Sequence, residues 1–183
     1  MALILMKNSN KGFTLVEIMV VISIIGIMSA ITIPRYRSGQ NHLALQRAAS
    51  KLAQDIRRAE EMVISSADCP ACGGSSARGY GVFAISGSDS YILYADTQSP
   101  DKFYSGSDAV LETIKLEKNI VISGINTPQN QISVNFEPPD PAVNLNYMPG
   151  SEVPEAIITL SVNNSPLENK KIHVNKAGLI YVE

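Results

Sequence analysis

From Phe13 to Ile33 the chain is one apolar run, and between Lys11 and Arg35 its only charged side chain is Glu17. At about 1.5 Å rise per residue, a helix over this interval is long enough to cross a hydrocarbon core of about 30 Å. Length and apolarity together predict a membrane-spanning helix over residues 13–34. An acid inside such a helix costs on the order of 2.5–3.5 kcal/mol on insertion scales. Glu17 therefore needs a partner, unless it sits near the membrane edge and reaches back to the headgroups. Lys7 and Lys11 precede the run and no acid does, so the positive-inside rule places the N-terminus in the cytoplasm and everything after Pro34 outside. A cleaved secretory signal would show a small-residue site after its apolar core. Here the core runs into Pro34-Arg35-Tyr36, so retention as an anchor is expected. Proline inside a helix costs about 3 kcal/mol, which predicts a bend near Pro34.

The 183 residues, 45% of them apolar, leave room for the membrane segment and one modest domain. A net charge of -2 conceals an asymmetry: residues 1–66 carry +4 and residues 67–183 carry -6. Phosphate binding is driven by Lys and Arg displacing counterions, so an acidic domain argues against broad attraction to nucleic acid.

After Gly39, apolar residues recur at Leu45, Ala48, Ala49, Leu52, Ile56, Ala59 and Val63, the three-four spacing of an amphipathic helix. Arg47, Lys51, Asp55 and Arg58 are expected on the opposite face, with Lys51–Asp55 and Arg57–Glu61 as four-residue ion pairs. The membrane helix is thus expected to continue over residues 35–66, with its apolar stripe turned towards a sheet, giving a long stem and a compact head.

Ser65 to Ala77 is rich in small residues and reads as a loop leaving the helix. It holds both cysteines, Cys69 and Cys72, as Cys-Pro-Ala-Cys. Outside the cytoplasm a local disulfide would close a small ring and stiffen the loop. A redox site like that of thioredoxins is the alternative, but there the motif starts a helix after a strand, and here it follows a helix.

From Gly79 onward short β-rich runs alternate with turns. Strands are expected over Tyr80–Ile85, Tyr91–Ala95, Val110–Leu116, Ile120–Ile122, Ile132–Phe136, Ala156–Val162, Lys171–Val174 and Leu179–Val182. Pro138-Pro139-Asp140-Pro141 is expected to break the sheet, and the stretch to Pro149-Gly150 to form an exposed loop. One helix followed by many strands implies an α+β domain over residues 67–183, the helix covering a mostly antiparallel sheet.

Chemistry-bearing patterns are sparse. His42 and His173 have no acid or nucleophile at a telling spacing, and His173, between Ile172 and Val174, reads as an exposed strand position. No third cysteine or neighbouring histidine completes a metal set, so no metal and no cofactor is called for. Cys72-Gly73-Gly74-Ser75-Ser76 lacks the lysine of a phosphate loop. Nothing in the sequence points to an enzyme.

The junction Lys11-Gly12-Phe13-Thr14-Leu15-Val16-Glu17 resembles the processing motif of the type IV prepilin and pseudopilin superfamily. The resemblance implies that residues 1–12 are a leader and that a prepilin peptidase cuts between Gly12 and Phe13 and methylates the new amine of Phe13. It further implies that Glu17 pairs with the N-terminal amine of a neighbouring subunit as the helix leaves the bilayer for a filament. The implied partners are the peptidase, other pilin or pseudopilin subunits and an inner-membrane assembly platform. The implied location is the bacterial inner membrane, with the head extracytoplasmic.

The order of helix, strand-rich middle and terminal hairpin around Asn175-Lys176-Ala177-Gly178 is similar to the GspH/FimT group of minor pseudopilins and pilins. That similarity implies a minor subunit of a type II secretion pseudopilus or of a type IV pilus. Some FimT-type members take up DNA through arginines near this hairpin. Here the tail has no arginine, and Lys170, Lys171 and Lys176 are the only candidates for a DNA contact.

Overall fold

A computed structural model describes residues 12–73, 77–97, 102–139, 141–163 and 165–183, with the backbone alone at 33–38 and 165–167. The leader through residue 11, residues 74–76 of the expected loop and residue 140 of the proline run lie outside the described residues. The chain divides into two compact units, Met1–Gln40 and Asn41–Glu183. One helix, α1 (Leu15–Ile64), contributes to both.

In the first unit, Leu15–Thr32 is long and apolar enough to cross a membrane, and none of it is buried. Two of its polar residues fold back on the helix. Ser23 Oγ donates to the Met19 carbonyl at 2.7 Å and Thr32 Oγ1 to the Met28 carbonyl at 2.8 Å, so neither hydroxyl is left unpaired on an apolar surface.

In the second unit, the expected stripe is the buried face of α1: Leu45, Ala48, Ala49, Leu52, Ile56, Ala59 and Val63 all belong to the core. The many alanines let strands approach the helix closely. Asp55 departs from expectation, since it is buried rather than on the solvent face. It lies three residues after Leu52 and four before Ala59, which is the stripe itself. Its carboxylate is satisfied there by the Tyr91 hydroxyl at 2.5 Å, and no Lys51–Asp55 pair forms. Arg57 likewise donates to the Ile180 carbonyl at 2.8 Å.

The strands form two antiparallel sheets rather than one. The first has the order β3-β2-β1-β5-β6-β7 and the second β10-β9-β8-β4. Their members are β1 (Gly79–Ile85), β2 (Ser90–Asp96), β3 (Ala109–Lys115), β4 (Ile120–Ile125), β5 (Gln131–Glu137), β6 (Ala142–Met148), β7 (Ser151–Glu152), β8 (Glu155–Val162), β9 (Ser165–Asn175) and β10 (Ile180–Val182). Alternation puts Val82, Leu93, Val134 and Leu145 in one inward row, and Ile158, Leu160, Ile172 and Val174 line the second sheet.

Two expectations fail at the proline run. It does not break the sheet: Glu137 pairs with Ala142, so it turns β5 back into β6, with a cis Pro138–Pro139 bond. The expected exposed loop is a strand with Val143, Asn144, Leu145 and Asn146 buried.

The reason lies on the other face of the first sheet, which is polar yet covered: Ser133, Asn135 and Asn146 are each at most 2% exposed. Residues 102–104 lie over it. Phe103 and Tyr104 pack on Phe83 with ring centroids 5.7 and 5.0 Å apart. The Tyr104 N–H donates to Ser133 Oγ at 3.3 Å, and Lys102 Nζ bonds Glu137 at 2.9 Å and Asn144 at 3.2 Å.

Candidate functional site: the start of the stem helix

Helix α1 starts at Leu15 because Thr14 caps it. The Glu17 N–H donates to Thr14 Oγ1 at 3.2 Å and the Ile18 N–H to the Thr14 carbonyl at 3.3 Å. Thr14 is therefore the N-cap, and Glu17 falls at the third helical position. Thr-x-x-Glu before an apolar run is the signature of a capping box, and Thr14 is the residue that reasoning centred on Glu17 passed over. Glu17 is exposed, in the first turn, where the unpaired N–H groups of the helix favour negative charge. This supplies a local role for the acid that the sequence argument lacked.

Gly12 and Phe13 precede the helix and take no part in it. Phe13 is 78% exposed, and a Cβ on Gly12 would meet nothing within 4 Å. The peptide between them stands clear of packed structure. Behind it the stem presents an unbroken apolar surface: Leu15, Val16, Met19, Ile22, Ile25 and Met28 are each at least 56% exposed. Soluble monomers rarely expose apolar patches beyond a few hundred Å². Such a surface needs lipid or other subunits. Pro34 lies within α1, where the backbone alone is described.

The remaining candidate residues are scattered over the second unit. Cys69 and Cys72 are joined by a disulfide, with Cα atoms 5.3 Å apart, around a turn of 3-10 helix at Pro70–Cys72. Cys72 is packed into the core, and the Tyr80 hydroxyl fastens the same loop to β1 by donating to the Ala67 carbonyl at 2.6 Å. Cys69 is half-buried, so the disulfide ties a fastened loop to the core through Cys72.

His173 is not the exposed strand residue expected, being only 8% exposed. Its ring stacks on Tyr181 at 4.5 Å, with Nδ1 2.9 Å from Glu155 Oε1 and Nε2 3.3 Å from Glu183 Oε2. Covering by the Tyr181 ring, carried on the neighbouring strand, is invisible to alternation within β9.

The three lysines do not converge. Lys170 and Lys171 are consecutive on β9 and so point to opposite faces, while Lys176 Nζ is engaged by Glu152. A separate groove is lined by Arg47, Lys51, Tyr91, Lys115 and Glu117. Its arginine is already held by Glu117, with Nε and Nη2 at 2.8 and 2.7 Å from the two carboxylate oxygens. This fork raises the arginine's already high pKa and holds the Glu117 carboxyl below the usual range. Among the described residues no group of His, Cys, Asp and Glu is arranged to hold a metal ion.

Among the described residues, the start of α1 alone combines an exposed peptide, a charged side chain and an uncovered apolar surface. Residues 7–33, which contain all three, match the family described as the prokaryotic N-terminal methylation motif. The chain carries that motif. Gly12, Phe13, Thr14 and Glu17 lie inside it, and Pro34 is the first residue beyond it.

The chain carrying this methylation motif is also similar to fimbrial proteins. It is 40% identical over 70 residues to a type IV major fimbrial protein, FimA, of Dichelobacter nodosus, covering 37% of this chain and 43% of that one. It is 39% identical over 57 residues to a fimbrial protein of Pseudomonas aeruginosa, covering 31% and 37%. It is 60% identical over 30 residues to a fimbrial protein of Moraxella nonliquefaciens, covering 16% and 20%. The similarity thus spans less than half the length of each of these relatives. No solved structure matches the chain.

Proposed function

We propose that this chain is a pilin-type subunit: a structural, non-catalytic protein processed at its N-terminus and assembled into a filament through its apolar stem. The observation that carries this is the methylation motif at residues 7–33, which contains the apolar, unburied helical stretch Leu15–Thr32. In this reading a prepilin peptidase cuts between Gly12 and Phe13 and the Phe13 amine is methylated. The N-terminus starts in the cytoplasm and the domain after the stem is extracytoplasmic. Glu17, costly in lipid on its own, meets the Phe13 amine of a neighbouring copy. An unpaired buried acid penalises any register in which that amine is absent. Assembly also covers the apolar side chains that the isolated chain leaves open.

Within that class we infer a minor subunit, of the GspH/FimT type, serving a secretion pseudopilus or a type IV pilus. Support comes from the order of helix, strand-rich middle and terminal β9–β10 hairpin, whereas the relatives found by comparison carry the names of major fimbrial proteins. Mass spectrometry of the protein from its native membrane tests the class. A mature chain beginning at N-methylated Phe13 is expected, and one beginning at unmodified Met1 would sink the reading. A deletion strain scored in parallel for protein secretion, surface pili and DNA uptake assigns the filament. Quantifying the chain against the most abundant subunit of sheared fibres tests the minor role, and near-equal amounts would refute it.

A further inference from the structure

We propose that Thr14 is a positioning residue for processing: by fixing the start of α1 it keeps the Gly12–Phe13 peptide out of the helix, where a peptidase can reach its backbone. The proposal rests on reading Gly12–Phe13 as the scissile bond. The step is hydrolysis: water adds across the amide, the C–N bond breaks, Gly12 leaves as a carboxylate and Phe13 as an amine. A protease must reach the scissile carbonyl and pair with the backbone around it. Inside a helix those groups are screened by the neighbouring turn or already hydrogen-bonded within it.

The structure sets the boundary two residues beyond the scissile bond. Thr14 Oγ1 takes the Glu17 N–H at 3.2 Å, the helix begins at Leu15, and Gly12 and Phe13 remain non-helical and exposed. Among the described residues, no other side chain near this point holds the boundary. Phe13 is apolar and suited to prolonging the stem, and a single glycine disfavours a helix without forbidding it. Asn8, Ser9 and Asn10, immediately upstream, are of the types that cap helices. Without the Thr14 hydroxyl, a start shifted to one of them would wind the Gly12–Phe13 peptide into the first turn. The cap therefore selects between two starts, only one of which offers the bond.

The test is cleavage of the full-length chain in membranes by prepilin peptidase, followed by mass over a range of substrate concentrations. Thr14→Val keeps the shape and removes the acceptor, whereas Thr14→Ser and Thr14→Asn keep a capping oxygen. For Thr14→Val, kcat/KM is expected to fall by up to about fivefold, the limit set by ~1 kcal/mol of lost capping, and by less the more the Leu15 start dominates. The loss should appear in KM with kcat retained, because only the fraction of chains with the bond outside the helix can bind. Serine and asparagine should restore the wild-type value. Wild-type kinetics for Thr14→Val would overturn the proposal. So would a loss in Thr14→Ser and Thr14→Asn as large as in Thr14→Val, which would mean that the enzyme reads threonine itself. A wild-type chain left uncut after Gly12 would instead refute the processing site, and the proposal with it.

Discussion

Tyr91 and Asp55 share a hydrogen bond inside the head, and among the described residues no other donor reaches the acid. Tyr91→Phe would leave a buried carboxylate short of its partner and is expected to cost about 1–3 kcal/mol, read as a lower midpoint in thermal unfolding of the detergent-solubilised chain. Burial raises the phenol pKa of Tyr91, helped by the hydrogen bond to Asp55, and burial likewise raises that of Tyr94. The folded state thus holds these protons more tightly than the unfolded chain, whose tyrosines ionise near 10.0. Their contribution to stability is intact below that pH and is lost as pH rises above it. Tyrosinate absorbance followed against pH should show exposed tyrosines ionising first and these two only with the loss of folded structure. At this scale legibility was uneven. Asp55 sits on the stripe by spacing and could have been placed, whereas the covering of His173 depends on Tyr181 from another strand.

Strand β1 meets its neighbours so closely that Gly81 has no room for a side chain. A Cβ there would lie 2.6 Å from the Val134 carbonyl and 2.8 Å from the Tyr94 hydroxyl. Gly81→Ala is expected to cost about 1–3 kcal/mol, because the nearer atom is backbone of β5 and yields only by disturbing the β1–β5 pairing. Helix α1 offers a comparison: Leu52→Ala, at a fully buried position, should cost about 2–5 kcal/mol. Replacing both Cys69 and Cys72 by serine should cost about 2 kcal/mol or less, since the ring they close is short. Thermal melts of the three variants should therefore rank with Leu52→Ala at the lower end. Among the elements, β6 was hidden by what precedes it. Following a run of prolines, it reads as an exposed loop, yet Asn144 and Asn146 are buried, and Asn144 accepts from Lys102, in a distant part of the chain.

For the whole molecule, the charged residue in the stem governs assembly in the proposed function. Glu17→Gln removes the charge while retaining the size. The variant is expected to be cleaved and methylated as before, since Gly12, Phe13 and Thr14 are untouched, but to be depleted from sheared filaments relative to the wild-type chain when both are co-expressed. Quantitative mass spectrometry of fibre and membrane fractions checks this, and equal recovery of the two forms would remove the role assigned to the acid.

What the sequence determined by itself is what depends on local order along the chain: the apolar stem and its one acid, the amphipathic stripe of α1, the α+β class, and the positions of most strands. Those features follow from periodicity and turn chemistry, which act between residues a few positions apart. Tertiary structure alone decided that the strands divide into two sheets, that the proline run turns β5 into β6, and that a polar sheet face is covered. Each of these depends on side chains that distant segments bring together, and such pairings have no signature in local spacing. The start of α1 belongs to both. Thr14 and Glu17 spell the cap in four residues, and the geometry shows that cap leaving the Gly12–Phe13 peptide free.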